Sequence, residues 1–169
     1  MIEISDATIK QQGAIGDLQR AAFGGNLEAR LVTRLRNDAL VAASLVATDG
    51  STVVGHILFS DLAVEVDGRP VAAVSLAPLA VLPERQRGGI GTRLVQAGLE
   101  SLRARQRAAA VIVLGEPAFY RRFGFSAELA RKLASPYAGE AFMALELLPG
   151  ALAGHAGRVT YPAAFAEGD

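Results

Sequence analysis

Apolar residues recur along this chain at two periods, and the switches between them predict its elements. Ile2 to Thr8 opens with the alternation of a strand, and Asp17 to Phe23 offers a short helical segment that Gly24-Gly25 breaks. Asn26 stands at a capping position for a second helix. Along it Leu27, Leu31 and Leu35, with Val32, recur at helical spacing, while Glu28, Arg30, Arg34 and Arg36 face outward. That helix is predicted to end near Asn37-Asp38.

From Ser44 the period shifts toward two. Leu45-Val46-Ala47 leads to a turn at Asp49-Gly50, and Thr52 to Leu58 follows as the partner strand of a hairpin. A second turn, Asp67-Gly68, joins the far end of that strand system, Leu62 to Val66, to an apolar run from Val71 to Val81, which reads as the central strand. Pro78 removes a backbone donor inside this run, so a bulge or a divergence from the neighbouring strand is expected there.

A helix from about Gly91 to Ala104 carries Leu94, Val95, Gly98, Leu99 and Leu102 on one stripe. Ala109 to Leu114 reads as a buried parallel strand, and Gly115-Glu116-Pro117 ends it and starts a short helix. Further strands are expected around Phe125 and from Phe142 to Leu147, and Val159-Thr160-Tyr161 is a candidate for a last edge strand. With no repeat, linker or low-complexity tract, the 169 residues read as one domain, 1–169.

Composition narrows the chemistry. Seventeen acidic residues balance seventeen basic ones, so no global charge argues for nucleic acid or a membrane surface as partner. Cysteine is absent, which removes disulfides, cysteine metal sites and a cysteine acyl-enzyme. No metal-ligand spacing is found. The N-terminus lacks a basic region leading into an apolar one, and no segment approaches the roughly 20 apolar residues that span a bilayer. The cytoplasm is the expected compartment.

The most informative segment is Gln86-Arg87-Gly88-Gly89-Ile90-Gly91-Thr92. Its glycines let the backbone turn sharply and approach a ligand, and the helix after it directs free N–H groups to the same space, as an anion site requires. Arg85, Arg87 and Arg93 add positive charge nearby. On the glycines alone, a strand-to-helix connection without a ligand is equally open. A Walker loop would need Gly-Lys-Ser/Thr where the chain has Gly91-Thr92, and a dinucleotide fingerprint would need an early βαβ unit.

The segment Gln86-Arg87-Gly88-Gly89-Ile90-Gly91 resembles the Gln/Arg-x-x-Gly-x-Gly/Ala cofactor motif of the GNAT acetyltransferase superfamily. Gly55 to Ser60, Leu76 to Val81, Val113 to Pro117 and Phe119 to Phe125 resemble, in that order, its branch of small bacterial predicted acetyltransferases, giving a cofactor core over about 44–147. The resemblance implies an α/β (α+β) fold with a mixed, mostly antiparallel central sheet, a splayed strand pair and flanking helices. It implies acetyl-CoA as acyl donor. Backbone amides of Arg87, Gly89, Gly91 and Thr92 would bind the pyrophosphate, with Gln86, Gly88 and Ile90 in the same turn. Leu79, Ala80 and Val81 would pair with the pantetheine arm as an added strand would, and an N–H there would stabilise the oxyanion.

Tyr120 occupies the family position whose hydroxyl reaches the cofactor sulfur. A phenol with pKa near ~10 stays protonated at neutral pH and can act as general acid; by residue type alone it reads first as a core aromatic beside Phe119, Phe123 and Phe125, and the family position reverses that preference. A base is also needed, because an alkylamine with pKa near ~10.4 is protonated at neutral pH. Glu116, His56, Glu65 and Ser75 acting through water are the candidates. His56 and Glu65 read first as ordinary strand residues, and Glu116 as a complement to a helix dipole.

The implied function is transfer of an acetyl group to a primary amine, on a small molecule or peptide, by direct attack in a ternary complex. A homodimer is compatible with the resemblance. The alternative is a noncatalytic acyl-CoA-binding or sensor module, since a cofactor motif guarantees only binding. Acceptor contacts are expected from the loops near Phe23 to Asn26 and Leu133 to Phe142, where Tyr137 and Glu140 are suited to a cation.

Overall fold

The computed structural model describes residues 1–166. Strand β1 (Ile2–Asp6) is followed by helices α1 (Gln12–Phe23) and α2 (Leu27–Asn37), then by strands β2 (Val41–Asp49), β3 (Thr52–Val66) and β4 (Arg69–Val81). Helix α3 (Ile90–Ala104) leads to β5 (Ala110–Leu114), short helices α4 (Pro117–Tyr120) and α5 (Ala127–Ala130), and strands β6 (Leu133–Ala134), β7 (Phe142–Glu146) and β8 (Gly157–Thr160). They form one eight-stranded sheet in which β1-β2-β3-β4-β5-β7 is the main order. Pairing is antiparallel except between β4 and β5 and between β6 and β8. The expected mixed, mostly antiparallel sheet flanked by helices is the fold observed.

The two expected pieces of β3 run as one strand, long enough to pair with β4 along one edge and, along the other, with β2 and then β8. Its burial is nearly continuous from Val53 to Ser60 because both sheet faces are covered there. Gly55 and Phe59 meet α3: a Cβ on Gly55 would lie 2.9 Å from Ile90 and Leu94, and one on Gly98 of α3 would lie 2.3 Å from the Phe59 ring. His56 and Leu58 face the other way, toward α1 and α2, in a cluster with Ile15, Leu18, Val32 and Leu35. Each aliphatic side chain so buried contributes roughly 1.5–3 kcal/mol.

The break foreseen at Pro78 is present. Ile57 faces Leu79 and Phe59 faces Leu76, so Ala77-Pro78 bulges by one residue opposite Leu58. Beside β5, pairing ends at Leu76 opposite Val113, after which the two parallel strands separate.

Several expectations need correction. Helix α1 starts at Gln12 rather than Asp17, since it draws cohesion from tertiary burial of Ile15, Leu18 and Gln19 as well as from local pattern. Asn26 precedes α2 in a helical conformation and its side chain caps nothing. Around Phe125 there is no strand but an isolated bridge from Ser126 to Ala144; Ser126 instead caps α5, accepting from Leu129 N–H at 3.2 Å. The tail strand does form, as β8, but it ends at Thr160 and is not an edge, since it pairs with β3 on one side and β6 on the other.

Candidate active site

Gln86 to Thr92 turns from the end of β4 into α3. Arg87 has φ of 67° and Gly89 φ of 86°, so two left-handed residues make the corner, one at a non-glycine position where that conformation is costly. The first helical bond in α3 is from Arg93 N–H to Gly89 C=O at 3.1 Å. The amides of Gly89, Ile90, Gly91 and Thr92 therefore have no acceptor among the described residues and point into a cleft. The cleft, about 570 Å³, is lined by the turn, by Leu79 and Val81 of β4, and by Phe119 and Arg122. Gln86, Arg87, Gly89, Ile90, Gly91 and Thr92 all line it; Gly88 lies in the turn behind them.

The basic residues expected here divide. Arg87 lines the cleft, and Arg85 does so while paired with Asp49 at 3.1 Å. Asp49 is held below its ordinary carboxylate value by hydrogen bonds from the N-terminal ammonium and Arg85. Arg93 turns away and donates to Ile2 C=O at 3.1 Å. Arg122 takes its place, its guanidinium 4.8 Å from the centre of the Phe119 ring.

Strand alternation decides which β4 groups are free. Leu82 N–H donates to Val54 C=O at 2.9 Å, so residues 82 and 80 turn their peptide groups toward β3, and 81 and 79 turn theirs toward the opened β5 side. Leu79 and Val81 thus present backbone to the cleft, with the Val81 carbonyl taken by Gln86 Nε2 at 3.1 Å. Ala80, expected to join them, is 2% exposed and faces β3 and the core on the other sheet face.

Across Leu79 lies a second cavity of about 360 Å³, reached where β4 and β5 separate. Tyr120 lines it together with Pro78, Ser75, Glu28, Tyr137 and Tyr161. The Tyr120 ring is packed edge-on against Phe119 at 4.9 Å and Phe125 at 5.7 Å, and Gly115 gives it room: a Cβ there would stand 2.4 Å from the ring. Burial pushes its pKa up to about 12. Its hydroxyl has no hydrogen-bond partner among the described residues, so its proton is available to whatever occupies the cavity.

The other sequence candidates scatter. Glu116 does not reach this cavity; its carboxylate caps α4, accepting from Ala118 N–H at 3.4 Å, and lines a separate cleft with Arg121 and Arg131. His56 is fully buried, bonded at 2.9 Å to Gln19 Nε2 through Nδ1 and at 2.9 Å to Ser44 Oγ through Nε2. Loss of hydration lowers its pKa to about 4, keeping the ring neutral. Glu65 is exposed on β3 opposite Arg158. Ser75 is the sequence candidate that does line the cavity, and of the acceptor-loop pair Tyr137 does and Glu140 does not.

A family model described as an acetyltransferase (GNAT) domain matches residues 3–127. The chain belongs to the GNAT acetyltransferase family. It is 41% identical over 151 residues to the uncharacterized N-acetyltransferase YhbS of Escherichia coli K12, covering 87% of this chain and 88% of that protein. The crystal structure of Escherichia coli YhbS in complex with CoA superimposes with a TM-score of 0.89 at 36% identity, covering 99% of this chain and 93% of that one. A GNAT acetyltransferase from Brucella melitensis in complex with acetyl-CoA gives 0.80 at 32% identity, with 98% of each chain covered. As a GNAT protein the chain is an acyltransferase, and no helix among its described residues is long and apolar enough to cross a membrane.

Within this GNAT site, sequence reading missed Arg122, Phe119, Glu28, Tyr161 and Phe165. Arg122 had a signal, being basic beside the Phe119 to Phe125 segment. Glu28 reads as part of the solvent face of α2, and of the two tail aromatics Tyr161 reads only as part of a candidate edge strand and Phe165 carries no pattern.

Proposed function

We propose that this protein transfers an acetyl group from acetyl-CoA to a primary amine by direct attack in a ternary complex. One observation carries the reading: the amide-lined cleft and the Tyr120 cavity meet at Leu79, where β4 leaves β5. Acetyl-CoA supplies a thioester, whose carbonyl is open to amine attack and whose thiolate can leave. The fit is supported by the unpaired amides of the glycine turn, which favour a pyrophosphate, and by the free edge of β4, which suits an amide-bearing arm. The CoA and acetyl-CoA complexes of the Escherichia coli and Brucella melitensis relatives support the same donor.

The residues then divide the work. Gly89 to Thr92 hold the phosphates through backbone N–H groups, with Gln86, Arg87, Gly88 and Arg122 shaping the turn. Leu79 and Val81 hold the arm, and a β4 N–H on the open edge faces the charge that develops on the carbonyl oxygen. With the N–C bond formed, Tyr120 gives its proton to the thiolate as the C–S bond breaks, and the phenolate left behind is reprotonated from water. The proton shed by the amine leaves through water; Ser75 is placed to relay it, whereas Glu116 is not.

The test is acetyl-CoA titration by calorimetry, followed by thiol release with a broad amine panel. Saturable binding and amine-dependent release are expected. Absence of binding would end the reading; binding with no amine-dependent release would leave a module that only holds the cofactor.

A further inference from the structure

The cavity beyond Leu79 combines one carboxylate with aromatic rings. Glu28, in the first turn of α2, is the one formally charged side chain lining the cavity among the described residues. It is partly buried, and its carboxylate has no hydrogen bond or ion pair among the described residues. The same cavity is lined by an aromatic wall: Tyr137 meets Tyr161 edge-on at 4.9 Å, and Tyr161 meets Phe165 at 5.1 Å. Phe23 and Leu114, 47% and 50% exposed, also line the cavity and add apolar surface to it.

We infer that the acceptor is a small cationic amine with an apolar skeleton and no carboxylate, and that Glu28 is the specificity-determining residue that receives its positive charge. The inference rests on the transferase reading for taking this cavity as the acceptor side. An unpaired carboxylate beside aromatic faces attracts an ammonium group twice over, by charge and by the ring quadrupoles. A carboxylate on the acceptor would meet Glu28 with no lysine, arginine or histidine in the lining to offset the repulsion. The wall of rings matches a carbon skeleton, and a cavity of about 360 Å³ limits its size. A carboxylate in a first helical turn also complements the helix dipole; that role alone predicts a change in stability and none in amine selectivity.

Matched pairs differing by one carboxylate test this: 1,5-diaminopentane against lysine, and 2-phenylethylamine against phenylalanine. Binding to the full chain saturated with CoA, which carries no acyl group, is measured by calorimetry at constant pH, alongside turnover with acetyl-CoA. The amine of each pair is expected to bind at least about tenfold more tightly than its carboxylate-bearing partner, and Glu28→Gln to remove most of that preference with CoA affinity unchanged. Glu28→Lys should reverse it. Equal binding within both pairs, no binding of any of the four, or a Glu28→Gln variant altered only in thermal midpoint would overturn the inference. Turnover confined to the carboxylate-bearing members would overturn it and leave the transferase reading standing. Glu28-dependent amine binding without any acetylation would uphold the inference and remove the transferase reading.

Discussion

Arg122 Nη2 donates to Thr92 Oγ1 at 3.1 Å, tying the segment after Tyr120 to the first turn of α3. The contact joins the wall of the cleft to its floor, while Nε of the same guanidinium donates to Phe119 C=O at 3.3 Å, so Arg122 is held in the lining of the cleft beside the glycine turn. Arg122→Ala should weaken acetyl-CoA binding by about tenfold, the size of one charge-assisted contact. The loss should shrink as ionic strength rises, because the missing term is screened. Calorimetry at two salt concentrations checks both; an unchanged dissociation constant would place the phosphates elsewhere.

Tyr120→Phe keeps the ring and its edge-on contacts with Phe119 and Phe125 and deletes only the hydroxyl. Turnover should fall on the order of a hundredfold, as expected for loss of a general acid, with acetyl-CoA affinity within about twofold of the parent. Because burial pushes the Tyr120 pKa up to about 12, the parent enzyme should show no rate loss from deprotonation of this group below pH ~10. A variant with parental turnover would return Tyr120 to the role of core aromatic.

His56 gives the fold an acid limit unrelated to chemistry. Its pKa is near 4 when folded, against about 6.5 in an unfolded chain. As pH falls below ~6.5 the unfolded chain gains a proton that the folded one refuses, so stability declines progressively down to pH ~4, by up to about 3 kcal/mol. Above pH ~7 both states are neutral and the contribution vanishes. His56→Gln, whatever its cost at neutral pH, should flatten the dependence of the denaturation midpoint on pH between 7 and 4; an unaltered slope would assign the acid limit to other groups.

What was legible in the sequence was whatever a local rule governs. The period-two hairpin of β2 and β3, the apolar runs of β4 and β5, the stripe on α3, the Pro78 interruption and the glycine corner each state their geometry within a few residues, and each is observed. Where long-range packing decides, local reading fell short. Gln12 to Gly16 become helical because Ile15, Leu18 and Gln19 find β3, and Glu28 looks like a solvent-facing helix residue until the tail folds over to close a cavity beside it. Ala80 was grouped with Leu79 and Val81 by motif, although strand alternation turns its peptide groups the other way. Glu116 looked chemical because it follows the strand end, and the structure uses it as a helix cap.

Two glycines on α3 should respond to substitution in opposite senses. At Gly98 a Cβ would stand 2.3 and 2.7 Å from Phe59 ring atoms, and that ring, on β3, is fully buried against α3. Gly98→Ala should therefore cost roughly 1–3 kcal/mol as an overpacked core, despite the higher helix propensity of alanine. At Gly91 the nearest atoms to such a Cβ are 3.7 Å away on Phe119 and 3.9 Å away on Leu79 and Val81, which is ordinary contact, and all three line the cleft. Gly91→Leu should leave the thermal midpoint near or above that of the parent, since a helix-favouring residue replaces glycine without a clash. The same side chain would extend into the space assigned to acetyl-CoA, so its binding should weaken at least about tenfold. Differential scanning calorimetry and acetyl-CoA titration on both variants separate the effects: loss of stability at 98 with binding retained in the folded fraction, loss of binding at 91 with stability retained. Parental acetyl-CoA affinity in a folded Gly91→Leu variant would empty the cleft of its proposed ligand.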